Sequence, residues 1–321
     1  MSDAPLITIG ITCFNAADTI ERALRSALHQ DWPNTEVIVV DDCSSDESTS
    51  MIEKAAAGVR DAQLIRHGVN LGTAAARNTV LKQAKGQFVA FFDDDDESLP
   101  ERVRQQYDTL HRYELSNATD LVACYASGLR RYSNGYKVDL PAIGSQPMVP
   151  VGEMVADYLL FNERREGVFY GSGTPTCALM ARASTFRAIG GFDERLRRVE
   201  DVDFAVRLAL AGGHFVGSEA RLFVQYATVA SDKTPERNLD AELRLIEKHA
   251  QYLTKRNRYR YARDWFHLRY YHFSKQRLRF LVALLSFVVR NPVSGMKHLA
   301  RSFPRRWIHE RRMRTVADMR H

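Results

Sequence analysis

The stretch Gly86-Gln87-Phe88-Val89-Ala90-Phe91-Phe92 runs directly into Asp93-Asp94-Asp95-Asp96-Glu97. An apolar run without polar alternation reads as a strand buried on both faces. The aspartates must then sit at its C-terminal end. Four neighbouring carboxylates repel one another and resist ionisation in a compact fold unless a cation joins them. A divalent metal carrying a phosphate is the simplest partner, because hard cations take oxygen ligands. An isolated acidic run is more often a solvated turn, here one capping a helix expected near Pro100. The buried strand in front of it shifts the balance towards a site.

The same design recurs upstream. Leu6-Ile7-Thr8-Ile9-Gly10-Ile11-Thr12 reads as a strand, and Ile20, Ala23, Leu24, Ala27 and Leu28 follow at helical spacing. Glu36-Val37-Ile38-Val39-Val40 is a second buried strand, and it ends in Asp41-Asp42. A weaker strand at Gln63–His67, a loop through Gly72 and a helix over Thr73–Ala84 complete the approach to the acidic run. Strand and helix alternate four times, which predicts a mostly parallel sheet covered by helices. Ligands of such sheets bind beyond the carboxyl ends of the strands. Thr12 to Asn15, Asp41-Asp42 and Asp93 to Asp96 therefore converge on one edge.

Beyond Pro100 the pattern predicts a helix through Val103, Tyr107 and Leu110 and a strand over Leu121–Ala126. Tyr132 to Gly152 has no period and reads as a functional or mobile loop. A short strand is expected at Thr176–Ala181, a short helix at Ala183–Ile189, and a helix from Glu200 stopped by Gly212-Gly213. Leu222–Tyr226 reads as the last strand. Asn238–Arg256 reads as an amphipathic helix, followed by a basic, aromatic region from Tyr259 to Arg290.

Charge divides the 321 residues unevenly. Residues 255–321 hold 18 Lys and Arg against 3 Asp and Glu, while residues 1–254 are net −9. An acidic part suits a metal-dependent site, and a basic tail suits an anionic membrane or a nucleic acid. The near-apolar run Phe280–Val289 is ten residues long, too short for a helical span of about 20. No signal peptide is legible at the N-terminus. Cys13, Cys43, Cys124 and Cys177 are far apart, which argues against a zinc site or disulfide framework and fits a reducing cytoplasm. Cys13 and Cys43 read as packing thiols.

No GxGxxG follows the first strand and no GxxxxGK[ST] occurs, which disfavours dinucleotide and P-loop enzymes. Five pieces instead stand in order. They are Ile11 to Asn15; Val39 to Asp46; Asn70-Leu71-Gly72 with Ala76-Arg77-Asn78; Phe91 to Asp96 with Pro100; and Gly190 to Glu194 with Glu200-Asp201. Together, over roughly residues 5–225, they resemble a family 2 glycosyltransferase of the GT-A fold, an inverting, DxD-containing enzyme.

The resemblance implies an α/β fold with a mostly parallel central sheet and a C-terminal basic helical region. It implies a catalytic domain over residues 1–230, with the nucleotide-sugar half at about 1–100 and the acceptor half at about 101–230. Residues 231–321 form the helical region. The donor would be a nucleotide-sugar, a UDP-sugar before a dTDP- or GDP-sugar. Thr12, Phe14, Asn15, Asp42, Asn70, Gly72, Arg77, Asp93 and Asp94 would bind it. Asp42 would accept from the base, with a helix cap as its plainer reading, and Arg77 would reach the ribose or diphosphate. Asp95, then Asp93, would hold Mg2+ or Mn2+, with Asp96 supporting. Asp201 would be the general base, and Asp203 a cap or structural partner. A glycan or lipid-linked acceptor and a cytoplasmic location, peripheral on the membrane, would follow. Residues 255–321 would meet the anionic surface, with Trp265, Phe266, Phe280 and Trp307 entering it; nucleic acid is not expected.

One departure accompanies this. Gln225-Tyr226-Ala227 has no His where many relatives carry one after the last strand, so a third metal ligand is unassigned. The alternatives are a sugar-1-phosphate nucleotidyltransferase, for which the Gly-rich basic loop after the first strand is missing, and a non-catalytic sugar-nucleotide-binding subunit.

Overall fold

The computed structural model describes residues 4–227 and 234–300. Contacts divide the chain into two compact units. One holds residues 1–131, 137–159 and 164–228; the other holds 132–136, 160–163 and 229–321.

The first unit is built as the apolar runs dictate. In order come β1 (Ile7–Cys13), α1 (Ile20–Leu28), β2 (Thr35–Asp41), α2 (Ser48–Ala56), β3 (Ala62–Arg66), α3 (Thr73–Gln83) and β4 (Phe88–Asp93). β3, β2, β1 and β4 lie side by side and parallel. The register pairs Cys13 with Asp41 and Thr12 with Asp93, so all three acidic or polar ends meet at one edge.

Ile7, Ile9, Ile11, Val37, Val39, Phe88, Ala90 and Phe92 share one core with Ile20 and Leu24 of α1. On the other face α3 packs so closely that a Cβ on Gly10 would lie 2.4 Å from Val80 Cγ1. Only glycine permits that approach.

β5 (Glu97–Ser98) and α4 (Arg102–Asn117) follow, then β6 (Val122–Arg131), β7 (Lys137–Leu140), α5 (Glu153–Phe161), a 3-10 turn at Thr176–Ala178, β8 (Leu179–Arg182), α6 (Ala183–Ile189), α7 (Glu200–Leu210) and β9 (His214–Tyr226). β8 runs antiparallel between β4 and β6, and β9 runs parallel to β6. A mixed α/β unit results, parallel through its first four strands.

Several readings of the sequence need correction here. Tyr132 to Gly152, read as a loop throughout, contains a strand, because β7 pairs antiparallel with β6. Asn134-Gly135 between the two strands was the legible hairpin signal. The last strand begins at His214, eight residues before the expected Leu222, because Phe215 and Val216 are buried against β6. The expected strand at Thr176 opens as a 3-10 turn. β5 and α5 were not anticipated.

The second unit contains α8 (Pro235–Lys248), α9 (Ala250–Lys255), α10 (Tyr259–Phe273) and α11 (Arg277–Arg290). The single helix read over Asn238–Arg256 is broken at His249. Thr234 caps α8, its hydroxyl accepting from Arg237 N at 3.3 Å, with Pro235 at the first position. Leu245, Ile246, Leu253, Tyr261, Phe266, Leu268 and Phe287 are buried. Trp265 stacks against Phe287 and His298. Trp265 and Phe266 are therefore packing residues, and Phe280 lies edge-on to His272. Trp265, Phe266 and Phe280, expected at a membrane surface, face their own unit; the exposed apolar residues of α11 are aliphatic, and Phe273 of α10 is exposed as well. Trp307 lies outside the described residues. Among the described residues, no helix is long and apolar enough to cross a membrane.

Candidate active site

The sheet edge is laced together before any ligand is considered. Asp41 is buried, and its carboxylate accepts from Ser44 N at 2.9 Å and Thr49 Oγ1 at 2.6 Å. Asn15, in the left-handed region at φ 50, accepts from Ser45 N at 2.8 Å and donates its own N–H to Ser44 Oγ at 2.9 Å. The loops after β1 and β2 are thus one bonded surface. Phe14, half exposed, donates its N–H to Asp94 Oδ2 at 3.1 Å, which joins that surface to the end of β4. Thr12 is half buried beside Asp93.

Asp42 is a clamp. Its Oδ1 accepts from Leu71 N at 2.9 Å and meets His67 Nδ1 at 2.7 Å, and its Oδ2 accepts from Gly72 N at 2.7 Å. It does not cap a helix; the contact with Ser44 N belongs to Asp41. An ionised carboxylate has about four acceptor positions, so one on Oδ2 remains. Asn70 donates to Asp42 O at 3.3 Å and accepts from Arg197 Nη1 at 3.2 Å. Gly72 stands at φ 95 ahead of α3, where a side chain would be strained. His67 was not singled out from the sequence, and it also meets Thr79 Oγ1 at 2.9 Å.

Arg77, expected to reach the ribose or diphosphate, is held by carboxylates of its own chain. It is buried, its Nη1 donates to Glu200 Oε1 at 2.6 Å, and its Nη2 lies 3.7 Å from Asp93 Oδ1. Its guanidinium lies 5.4 Å over the Phe192 ring. Arg77 therefore ties the start of α7, 123 residues away, to the end of β4. Asp201 follows Glu200 in the first turn of α7, where a carboxylate is favoured by the helix N-terminus. Burial, reinforced by Glu200, nevertheless pushes the Asp201 carboxyl up to about 6. Asp203 is fully buried and paired with Arg207 at 2.8 Å, a structural role.

The acidic run is strained electrostatically. Burial, then the charges of Asp93 and Asp95, raises the Asp94 carboxyl to about 8. The same causes raise Asp96 to about 8. Asp93 is also raised by burial, against the pull of Arg77. Arg102 supports the run from beneath. It is buried and donates to Ser98 Oγ, Phe91 O and Cys177 O, and burial lowers it to about 10.

Asp96 is only 3% exposed, and no nitrogen or hydroxyl donor bonds its carboxylate oxygens; the Cys177 thiol is the polar group beside them. Donor atoms of Asp93, Asp96 and Cys177 lie within 4.8 Å of one another. An orphaned buried carboxylate, among carboxyls held unwillingly near charge, fits a divalent cation. Hard cations would favour the oxygens over the thiol. Asp96, expected only to support, and Cys177, read from the sequence as a cysteine remote from the others, belong to this cluster. Asp95 offers its backbone carbonyl to Arg22 Nη2 at 2.8 Å.

The glycosyl transferase family 2 model matches residues 8–185, more than half of the chain. The succinoglycan biosynthesis protein ExoO of Rhizobium meliloti is 34% identical over 145 residues, 43% of this chain and 40% of that protein. The UDP-Glc:alpha-D-GlcNAc-diphosphoundecaprenol beta-1,3-glucosyltransferase WfaP of Escherichia coli is 37% identical over 103 residues, 32% of this chain and 39% of that protein. The chain thus spans about two fifths of the length of these two relatives. A crystal structure of S. aureus TarS 1-349 in complex with UDP superposes with a TM-score of 0.59 at 19% identity, covering 92% of this chain and 87% of that one. That likeness is one of fold.

Proposed function

Because the chain belongs to glycosyl transferase family 2, we propose that it moves a sugar from a UDP-sugar to an acceptor hydroxyl with inversion at the anomeric carbon. The observation that carries this is Arg77 joining Asp93 to Glu200, which sets the acidic run and Asp201 in one charged cluster. The donor preference draws on the UDP of the TarS complex and the UDP-glucose in the name of WfaP.

In this reading the nucleotide lies on the surface formed by Thr12, Phe14, Asn15, Asn70 and Gly72. The free acceptor position on Asp42 takes the imide N–H of the base, and Asp94 lies near the ribose. Arg77 acts through the carboxylates it holds. Asp95 and Asp93, with Asp96 beside them, would hold Mg2+ or Mn2+, which when bound supplies positive charge to the leaving diphosphate. The acceptor oxygen attacks the anomeric carbon as its bond to the diphosphate breaks, and Asp201 takes the hydroxyl proton. A carboxyl near 6 is mostly ionised at neutral pH yet basic enough for that transfer.

Catalysis is assigned to residues 1–230, and membrane contact to the basic region of 231–321. The acceptor is a glycan or lipid-linked glycan of a surface polysaccharide, as the names of the relatives suggest, reached from the cytoplasmic face of the membrane. Thermal unfolding with a panel of nucleotide sugars and Mn2+ tests the donor, since a ligand of the native state raises the midpoint. A UDP-sugar should stabilise the protein only with the cation, and Asp95→Ala should abolish that stabilisation. Equal stabilisation with and without Mn2+ would remove the metal from the reading.

A further inference from the structure

The α10–α11 pair carries a surface that glycosyl transfer does not use. Leu278, Leu281, Val282, Leu285 and Val289 recur along α11 at i, i+3, i+4, i+7 and i+11. At about 100° per residue they form one stripe. Their exposures are 76%, 57%, 64%, 70% and 75%, whereas Phe287 on the opposite side is buried. Cations stand on both shoulders. Arg277 lies on one side of the stripe, and Arg279 and Arg290 lie on the other; all three are exposed.

The second shoulder and the adjoining Leu278 and Val282 form one wall of an open groove of about 880 Å3, faced from α10 by Arg260, Arg263, Tyr259 and Tyr271. Its one acid, Asp264, lies 3.3 Å from Arg290 Nη1 and 3.9 Å from Arg260 Nε.

We propose that the exposed face of α11 lies in the interface of an anionic membrane, with the α10–α11 groove taking phospholipid phosphates. This rests on the membrane contact assigned above and names the surface that makes it. Several features favour lipid over other occupants. Residues 255–300 hold eleven Lys and Arg and a single Asp, a charge that anionic headgroups complement. A second copy meeting the same face would bring Arg277, Arg279 and Arg290 against their own kind, which disfavours association. A nucleic acid would leave the aliphatic stripe in water. A helix of 14 residues is about 21 Å long, enough to lie in the interface and too short to span it. Arginines on both shoulders can reach the headgroups while the stripe enters the acyl boundary.

Cosedimentation of the full chain with vesicles tests this. Vesicles of phosphatidylcholine containing about a quarter phosphatidylglycerol should bind the protein, vesicles of phosphatidylcholine alone should bind it far less, and salt should weaken binding. The double variant Leu281→Glu/Leu285→Glu should lose at least about tenfold in partition. Arg277→Gln/Arg279→Gln should lose about 25-fold, from roughly fivefold per cation. These residues are exposed, so the unfolding midpoint and UDP binding should not change, and that separates the effect from misfolding.

If the unaltered protein binds anionic vesicles and both variants bind them equally, membrane contact stands and the α11 surface is wrong; residues 301–321 become the docking segment. If the unaltered protein binds no vesicles, both fail. Loss of a dimer in light scattering on Leu281→Glu/Leu285→Glu, with vesicle binding intact, makes the stripe an interface between copies and overturns the proposal. So does stabilisation by inorganic phosphate without vesicle binding, which makes the groove a site for free anions.

Discussion

The sheet edge and α11 solve opposite problems with the same residue types. At the edge, apolar side chains of β1, β2 and β4 are hidden and the carboxylates are gathered at the strand ends, where they repel one another. On α11, aliphatic side chains are exposed and arginines ring them at a distance. The edge can hold its charges because Arg77 and Arg102 are buried among them with directed hydrogen bonds. α11 requires no buried partner, because its cations are solvated. Charge in the first region is therefore structural and cooperative, and in the second it is additive and screened by salt.

The sharpest way to break this contrast is Arg77→Met. It removes the bridge between Glu200 and Asp93 and leaves two carboxylates without their cation. Breaking a buried pair from one side costs about 3–5 kcal/mol. Denaturant unfolding should show a loss of that order, whereas Arg277→Gln on α11 should cost nothing resolvable. A comparable effect of both would erase the distinction.

A second effect concerns pH. Asp93, Asp94, Asp96 and Asp201 all have carboxyls raised in the folded protein. The folded state then binds more protons than the unfolded one, so its stability falls as pH rises from the ordinary carboxylate value of 3.8 towards about 8. The melting temperature of cation-free protein should decline across that window, and Mn2+ should flatten the decline. A melting temperature that rises with pH there would contradict the account of the acidic run.

The smallest effect is Asn15→Ala. It loses the bond from Ser45 N and places an alanine at φ 50, together about 1–2 kcal/mol. Nucleotide affinity should fall with stability, because the loops after β1 and β2 share that bond. Unchanged affinity would show the two loops to be independent.

The sequence exposes the edge well and its supports poorly. β1, β2 and β4 are continuous apolar runs, and each announces a buried strand without knowledge of its neighbours. The acidic ends follow from strand order alone. β7 alternates exposed and half-buried residues, so its pattern resembles a loop until β6 is present to pair with it. β5 has two residues and no periodicity to read. The buried partners depend on contacts no local pattern encodes. Arg77 finds Glu200 across 123 residues, and Arg102 finds the carbonyl of Cys177 across 75. Asp42 was singled out for its position, but its bonds to Leu71, Gly72 and His67 become visible only when β2 and the loop before α3 are side by side.

The central claim is that the Arg77-linked cluster performs glycosyl transfer with Asp201 as base. The most direct measurement is turnover of Asp201→Asn with its UDP-sugar, alongside UDP affinity in the presence of Mn2+. The account predicts that kcat falls by about 10²–10⁴-fold, the range for a general base, while UDP binds as before. Turnover within a few fold of the unaltered enzyme would contradict it.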